Sequence, residues 1–316
     1  MFDKKRENMN GEECFLIENA GFYSISDTFE CGQCFRAEKI KDDGTYVEYA
    51  TVVGNKILRI GQKTAGELYI FDTSEDELDS VIIPYLSRDR DYEAIRADIN
   101  GKTASKWLKE ASECAKGIAI LRQDAWEALI SFIISQNNNI PRIKGIIRKI
   151  CAEYGECIAI KKGLKKCPFS KISATPCEEI CKKCGSCYTF PSAEKIISRP
   201  DGLLVSNPGF RYKYLCDAAE KIAHGEIDLE KIMKQHSYET TREALKKIKG
   251  VGDKVAACVA LFAFENLEAF PIDVWIKRAI DTYFDGELDY TALGDYAGIA
   301  QQYIFHYIKN IENIQK

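Results

Sequence analysis

The sequence lacks a hydrophobic run long enough to cross a membrane. Its longest unbroken apolar stretch, Val255 to Phe264, is far shorter than the roughly 20 residues that a membrane-spanning helix needs. The first residues, Met1 to Glu7, carry charges of both signs and no apolar core, so they do not resemble a signal peptide. We therefore expect a cytoplasmic protein without a membrane partner.

The chain also lacks the excess of positive charge that is typical of general nucleic-acid binders. Its 44 Lys and Arg against 48 Asp and Glu give a net charge of −4. The distribution is uneven, because residues 141–171 carry nine basic side chains and two acidic ones, a local balance of +7. Such a segment can hold phosphates on an otherwise acidic protein, although a solvated charged face has the same composition.

Thirteen cysteines in a chain without an export signal are expected to be reduced thiols rather than disulfides. Four of them are closely spaced: Cys177, Cys181, Cys184 and Cys187. Paired Cys-x2-Cys spacing is what a four-thiolate zinc site or an iron–sulfur cluster requires. The spacing predicts a structural metal site of one of these two kinds; the alternative is a set of metal-free thiols in a flexible loop.

Hydrophobic patterning predicts an α+β protein. Runs rich in β-branched and aromatic residues at 45–53 and 56–60 are separated by turn signals and indicate strands. Apolar residues at helical spacing between Trp126 and Ile134 indicate a helix, and helical patterning dominates afterwards. We predict a β-rich domain with trailing helices over 1–118 and a helical domain over 119–316. A Lys- and Cys-rich insertion interrupts the helical domain at about 156–188.

A glycine-rich turn stands out in the helical half. Gly250, Val251 and Gly252 join a predicted helix over 241–247 to a second helix that begins at Asp253. Two glycines around one apolar residue permit a tight turn whose amides point outward. Joined to a helix N-terminus, this turn is suited to hold a phosphate of DNA, although many such helix pairs only pack together.

Lys254 lies in the first turn of that second helix, where a cation is electrostatically unfavourable. The helix dipole and burial would lower its pKa and increase the fraction of neutral, nucleophilic amine. Asp273 precedes the next apolar-periodic helix and is a good N-cap. A capping carboxylate is fixed in place, so we predict Asp273 as the catalytic partner of Lys254.

The segment 250–258 together with Pro271-Ile272-Asp273 resembles the helix-hairpin-helix glycosylases with a Gly/Pro-rich loop and a terminal aspartate. Within that superfamily it is most similar to the 8-oxoguanine DNA glycosylase/AP lyase family. The resemblance covers most of the chain apart from the extreme N-terminus and the Cys-rich insertion. It implies a TBP-like β-rich N-terminal domain, double-stranded DNA containing 8-oxoguanine as the partner, and no cofactor for catalysis.

Two further segments resemble DNA-contacting motifs of that family. In the run 131–143, the resemblance implies that Asn137 enters the space left by an extruded base and that Arg142 reads the orphaned partner base. In the segment 208–214, Phe210 stands where the family usually has a Tyr wedge. Trp275 stands where many members have His, which puts the usual phosphate contact of that position in doubt.

The resemblance also implies a base pocket. Gly32, in the segment 30–36, would offer its carbonyl to the hydrogen on N7 of 8-oxoguanine, which guanine lacks. Gln301 would bind the Watson–Crick edge of the base, and Phe305 and Cys258 would press on its two faces. Without the resemblance, Phe305 would be interpreted as a core aromatic.

The sequence therefore predicts a monomeric, bifunctional DNA glycosylase/AP lyase that acts in base excision repair, at the nucleoid if the source is a prokaryote. It would extrude 8-oxoguanine, displace the base with Lys254 and cleave the strand by β-elimination. The alternatives are a related glycosylase of different base specificity and a DNA-structure-binding protein without catalysis.

Overall fold

Alternating side chains build one antiparallel sheet in the N-terminal part of the chain. The computed structural model describes residues 4–18, 21–63, 66–164, 167–169 and 185–314, and its six strands lie in the order β1-β2-β6-β5-β4-β3. In the second strand Phe15 and Ile17 point to one core, whereas Cys14 and Leu16 point to the opposite face, as a period of two requires. The strands are β1 (Lys4–Met9), β2 (Glu12–Ile17), β3 (Glu38–Asp42), β4 (Val47–Val53), β5 (Lys56–Gln62) and β6 (Leu68–Phe71).

One short helix, residues 25–30, lies between β2 and β3, and the remaining helices follow the sheet and form the body of the protein. The first ones are α1 (Ile25–Glu30), α2 (Glu75–Glu77), α3 (Ile83–Tyr85), α4 (Tyr92–Lys102), α5 (Lys106–Cys114), α6 (Ala125–Ser135), α7 (Ile140–Tyr154) and α8 (Ile158–Lys161). After the described part of the insertion come α9 (Ala193–Ser198), α10 (Tyr212–Ala223), α11 (Leu229–Met233), α12 (Tyr238–Leu245), α13 (Asp253–Ala263), α14 (Val274–Tyr283) and α15 (Ala297–Ile314). A π-helical turn, Leu78–Ile82, joins α2 to α3, and 3₁₀ turns occupy Pro200–Ser206, Gly209–Arg211 and Tyr290–Tyr296.

Side-chain caps set where several of these helices begin. Asp124 caps α6, Asn139 caps α7 and Ser237 caps α12, each by accepting a hydrogen bond from a backbone N–H of the first turn. The most buried of these helices is α6, in which Leu129, Ile130 and their neighbours are enclosed by the helical core.

Gln33 ties the sheet half of the protein to its helical half. Its side chain is fully buried, and Nε2 donates to the carbonyls of Thr28 (2.9 Å) and Ala119 (2.8 Å). Its Oε1 accepts from the N–H of Leu121 at 2.8 Å, and its own carbonyl accepts from Gln123 Nε2. The side-chain Nε2, the side-chain Oε1 and the backbone carbonyl of Gln33 are thus all hydrogen-bonded. These bonds hold the loop that follows α1 against the helical body.

The predicted fold class, α+β, is confirmed: the last strand ends at Phe71, and helices begin again at Glu75 and continue to the end of the described chain. Strand β1 was not anticipated, because Lys5, Arg6 and Glu7 lack apolar alternation. Charged residues are tolerated there since β1 is an edge strand of the sheet. The domain boundary at 118/119 stays a prediction. No helix within the described ranges is long and apolar enough to span a bilayer.

We expect Gln33→Ala to lower the free energy of unfolding by about 2–4 kcal/mol, because it removes the partners of three buried backbone groups. Urea denaturation measures this change. The control is Gln235→Ala at an exposed position, which should stay within about 0.5 kcal/mol of the parent. Equal effects of the two substitutions would contradict the role assigned to Gln33.

Candidate active site

The hairpin between α12 and α13 has the geometry that its glycines predicted. Gly250 adopts φ +82°, and a Cβ at this position would stand 2.4 Å from the ring of Tyr214, so a larger residue would need a rearrangement. Val251 is buried between the helices, and the amide of Lys249 donates to Asp217 Oδ2 at 2.7 Å. Gly252 is extended, with open space around it, and serves as the N-cap of α13.

Two helix N-termini face one cavity. It has a volume of about 870 Å³, and Lys254 from the first turn of α13 and Asp273 at the start of α14 both line it. Asp273 is the N-cap that the sequence predicted, because its Oδ1 accepts from the amides of Trp275 (3.0 Å) and Ile276 (2.9 Å). These bonds fix the carboxylate beside the lysine while its second oxygen stays available.

Lys254 lies among apolar and sulfur-bearing neighbours. Its Nζ is 5.7 Å from the centroid of the Phe132 ring, and Cys258 lies one turn further along α13. Burial raises the pKa of Cys258 to about 11, against the opposing effect of Lys254. Cys258 is therefore a neutral thiol at neutral pH.

The predicted base-binding residues are brought together in part. Gly32 (φ +84°) and Phe305 line the cavity, and a Cβ on Gly32 would stand 3.7 Å from the Phe305 ring. The Nζ of Lys309 lies over the same ring, 5.0 Å from its centroid. Gln301 is buried, and its Oε1 accepts from Gln302 Nε2 at 2.7 Å, so it does not line the cavity in this state. Cys258 lies behind Lys254 and is likewise absent from the cavity wall.

The asparagine run forms another side of the cavity, between α6 and α7. Asn137 is exposed with a left-handed backbone (φ +47°) and lines the cavity together with Asn138 and Asn139. Arg142 is exposed in the first turn of α7 but lies outside the cavity lining. The run is thus both a helix connection, as its composition alone predicts, and a part of the site.

Phe210 is exposed on the 3₁₀ turn that precedes α10, as an inserting wedge would need to be. Sequence reasoning missed the residue beside it. Arg211 is 2% exposed, and its guanidinium donates to the carbonyls of Gln136 and Asn137, so it anchors the asparagine run to the Phe210 turn. The sequence signal for Arg211 was its position directly after Phe210 without an acidic neighbour, which is compatible with a guanidinium that binds backbone carbonyls.

Charge around the cavity favours an anionic partner. The charged residues that line it are three lysines and one aspartate: Lys254, Lys277, Lys309 and Asp273. The basic segment 141–171 contributes less, because Lys144 donates to the Ala37 carbonyl and Arg148 lies 3.8 Å from Glu38. Other members of that segment, at 165, 166 and 171, lie outside the described residues.

The predicted metal ligands Cys177, Cys181 and Cys184 also lie outside the described residues. Cys187 is buried, with its Sγ 3.6 Å from Cys157 Sγ and 3.9 Å from Cys167 Sγ. Within the described ranges, no group of three or more His, Cys, Asp or Glu side chains is arranged to hold a metal ion.

Comparison with known proteins places these features in one family. The family described as 8-oxoguanine DNA glycosylase, N-terminal domain, matches residues 16–129. N-glycosylase/DNA lyase of Saccharomyces cerevisiae is 26% identical over 286 residues, covering 83% of this chain and 69% of that protein.

Two solved structures match nearly the whole chain. MBOgg1 in complex with a low-affinity DNA ligand is 31% identical over 98% of this chain and 99% of its own, with a TM-score of 0.79. The chain belongs to the 8-oxoguanine DNA glycosylase family. The 8-oxoguanine glycosylase/lyase of Clostridium acetobutylicum, bound to double-stranded DNA with cytosine opposite 8-oxoguanine, is 30% identical over 99% of this chain and 98% of its own, with the same TM-score of 0.79.

In this glycosylase-family chain, two substitutions test the role of Asp273 as the N-cap of α14. Asp273→Asn keeps a side-chain oxygen for the amides of Trp275 and Ile276, so we expect the free energy of unfolding to stay within about 0.5 kcal/mol of the parent. Asp273→Ala loses the cap and should cost about 1 kcal/mol. Urea denaturation compares the variants, and equal losses of stability would show that the cap bonds do not matter.

Proposed function

We propose that this protein is a bifunctional DNA glycosylase/AP lyase that excises 8-oxoguanine in base excision repair. The observation that carries the proposal is the shared cavity, to which two helix N-termini bring Lys254 and Asp273 beside Gly32 and Phe305. Membership of the 8-oxoguanine DNA glycosylase family supports the substrate. The relatives that are named N-glycosylase/DNA lyase or glycosylase/lyase support both activities.

The chemistry begins with the neutral amine of Lys254. Its nitrogen forms a bond to C1′ of the extruded nucleotide as the bond from C1′ to the base breaks, and the base departs with the bonding electron pair and takes up a proton. Asp273 stabilises the positive charge that develops on the sugar and positions the amine, or accepts its proton. Ring opening then gives a Schiff base, and loss of a proton from C2′ expels the 3′ phosphate by β-elimination.

Base recognition requires a local rearrangement of the described state. Gly32 and Phe305 border the cavity, where the Gly32 carbonyl would accept the N7 hydrogen of 8-oxoguanine and the Phe305 ring would stack on the base. Gln301 has to exchange its bond with Gln302 for a bond to the Watson–Crick edge of the base. Cys258 would contact the opposite face of the base.

The DNA duplex would be held by three surfaces around the cavity. The hairpin Gly250–Gly252 offers amides to a backbone phosphate. Phe210 would enter the base stack. Asn137 would fill the space that the extruded base leaves, and Arg142 would read the orphaned partner base. Arg211 keeps these two surfaces in register, because it binds the asparagine run from the Phe210 turn.

Borohydride trapping tests the nucleophile. With the intact protein and a duplex containing 8-oxoguanine, we expect a covalent protein–DNA adduct on reduction, because borohydride reduces the Schiff base to a stable amine. Lys254→Gln should abolish the adduct and slow base excision by at least about 10²-fold, since the amide is not a nucleophile. Denaturing gel electrophoresis and release of the free base measure the two effects.

Lys277→Gln is the matched control, because Lys277 lines the same cavity from α14. It should retain the adduct and weaken DNA binding only through the loss of one charge. An adduct that persists in Lys254→Gln, or that Lys277→Gln abolishes, would refute the assignment of Lys254.

We further propose, from spacing alone, that Cys177, Cys181, Cys184 and Cys187 hold a structural zinc ion or an iron–sulfur cluster. Metal analysis of the purified protein should find close to one equivalent of zinc, or iron with absorbance near 400 nm. Replacing Cys184 by Ser should release the metal, whereas the exposed Cys114→Ser should not. Fully active protein without metal would refute this proposal. Catalysis by Lys254 and Asp273 itself would require no cofactor.

The proposed setting follows from the substrate. We place the protein in the cytoplasm, at the nucleoid if its source is a prokaryote, where genomic DNA is accessible. We expect it to act as a monomer on double-stranded DNA, since one chain supplies both Lys254 and Asp273.

A further inference from the structure

The base pocket has two walls that come from distant parts of the chain. Gly32 follows α1, and Phe305 lies on α15, with its ring 3.7 Å from the position of a Cβ on Gly32. The room between these walls therefore depends on how closely α1 approaches α15.

One histidine lies at the contact between these two helices. His306 is the residue after Phe305, and its Nε2 is 3.9 Å from Oδ1 of Asp27 on α1. Asp27 is in turn tied to the pocket, because its carbonyl accepts from the N–H of Cys31, the residue before Gly32. The same Nε2 lies 2.8 Å from Nδ2 of Asn310, one turn along α15.

The surroundings of His306 favour its neutral form. Burial lowers the pKa of His306 from its usual value, Asp27 opposes that effect, and Lys309 adds to it. On the adjacent α5, the charge of Glu110 is directed to the Tyr307 hydroxyl at 3.2 Å. A neutral ring can accept the Asn310 hydrogen bond at Nε2, whereas a protonated ring donates there and has to turn to a carboxylate.

Protonation would thus exchange a bond within α15 for an ion pair between α15 and α1. The ion pair would draw Asp27 and His306 together from 3.9 Å and place a second cation beside Lys309, which covers the Phe305 ring. Drawing α15 toward α1 would move the wall formed by Phe305 toward Gly32 and reduce the space between them.

We propose that His306 is a positioning residue: its neutral imidazole keeps the pocket between Gly32 and Phe305 open for the base, and its protonation closes the pocket through an ion pair with Asp27. This inference rests on the proposed function. It predicts that acid inhibits recognition of the base beyond any effect that acid has on the amine chemistry of Lys254.

Two substrates separate these steps. Excision of 8-oxoguanine requires the pocket, whereas strand cleavage at a preformed abasic site requires Lys254 and no base. Single-turnover rates on both duplexes, measured between about pH 5 and pH 8, give the ratio of excision to abasic cleavage. We expect this ratio to fall about tenfold at one pH unit below the pKa of His306, which NMR titration of the chain's three histidines measures directly.

Three variants test whether the pH dependence of this ratio comes from the contact between His306 and Asp27. His306→Gln should flatten the ratio across the pH range, and so should Asp27→Asn, which leaves the histidine in place but removes the carboxylate that its protonated ring would pair with. His224→Gln, an exposed histidine at the end of α10, should keep the parent curve.

An inflection that persists in His306→Gln or in Asp27→Asn would overturn the inference. So would excision and abasic cleavage that change in parallel with pH. A protein that cleaves neither duplex at any pH would instead contradict the proposed function, so the two failures are distinguishable.

Discussion

The site depends on two helix N-termini being held side by side around one cavity. The tight turn at Gly250 starts α13 and places Lys254 in its first turn, and Asp273 starts α14 through two bonds to backbone amides. Each residue is positioned by the same local structure that begins its helix. Each N-terminus brings the positive end of a helix dipole to this space, which favours an anionic partner there.

Two buried side chains tie other segments of the site together. Gln33 holds the loop with Gly32 against the start of the helical body, and Arg211 holds the asparagine run against the turn that carries Phe210. Both are buried polar side chains whose hydrogen bonds go to backbone carbonyls or amides. Such bonds fix the backbone of a loop and do not depend on which side chains the loop exposes. They therefore stabilise the geometry of the site and leave its exposed side chains available for DNA.

Much of this arrangement could be predicted from the sequence, because local rules determine it. Glycine spacing predicted the hairpin, the position before an apolar-periodic segment predicted the Asp273 cap, and apolar spacing predicted α6. What could not be predicted depends on tertiary partners. The contact of His306 with Asp27 joins positions whose spacing carries no signal, and the charged strand β1 is specified by pairing with β2 rather than by its own alternation.

The central claim is that one amine, that of Lys254, forms the bond to the sugar. Mass spectrometry of the reduced protein–DNA adduct, after digestion of both components, locates the lysine that carries the sugar remnant. The account predicts that the modified peptide contains Lys254 and that peptides containing Lys277 and Lys309, the other lysines of the cavity wall, are unmodified. A remnant on either of those lysines, or on the N-terminal amine, would contradict it.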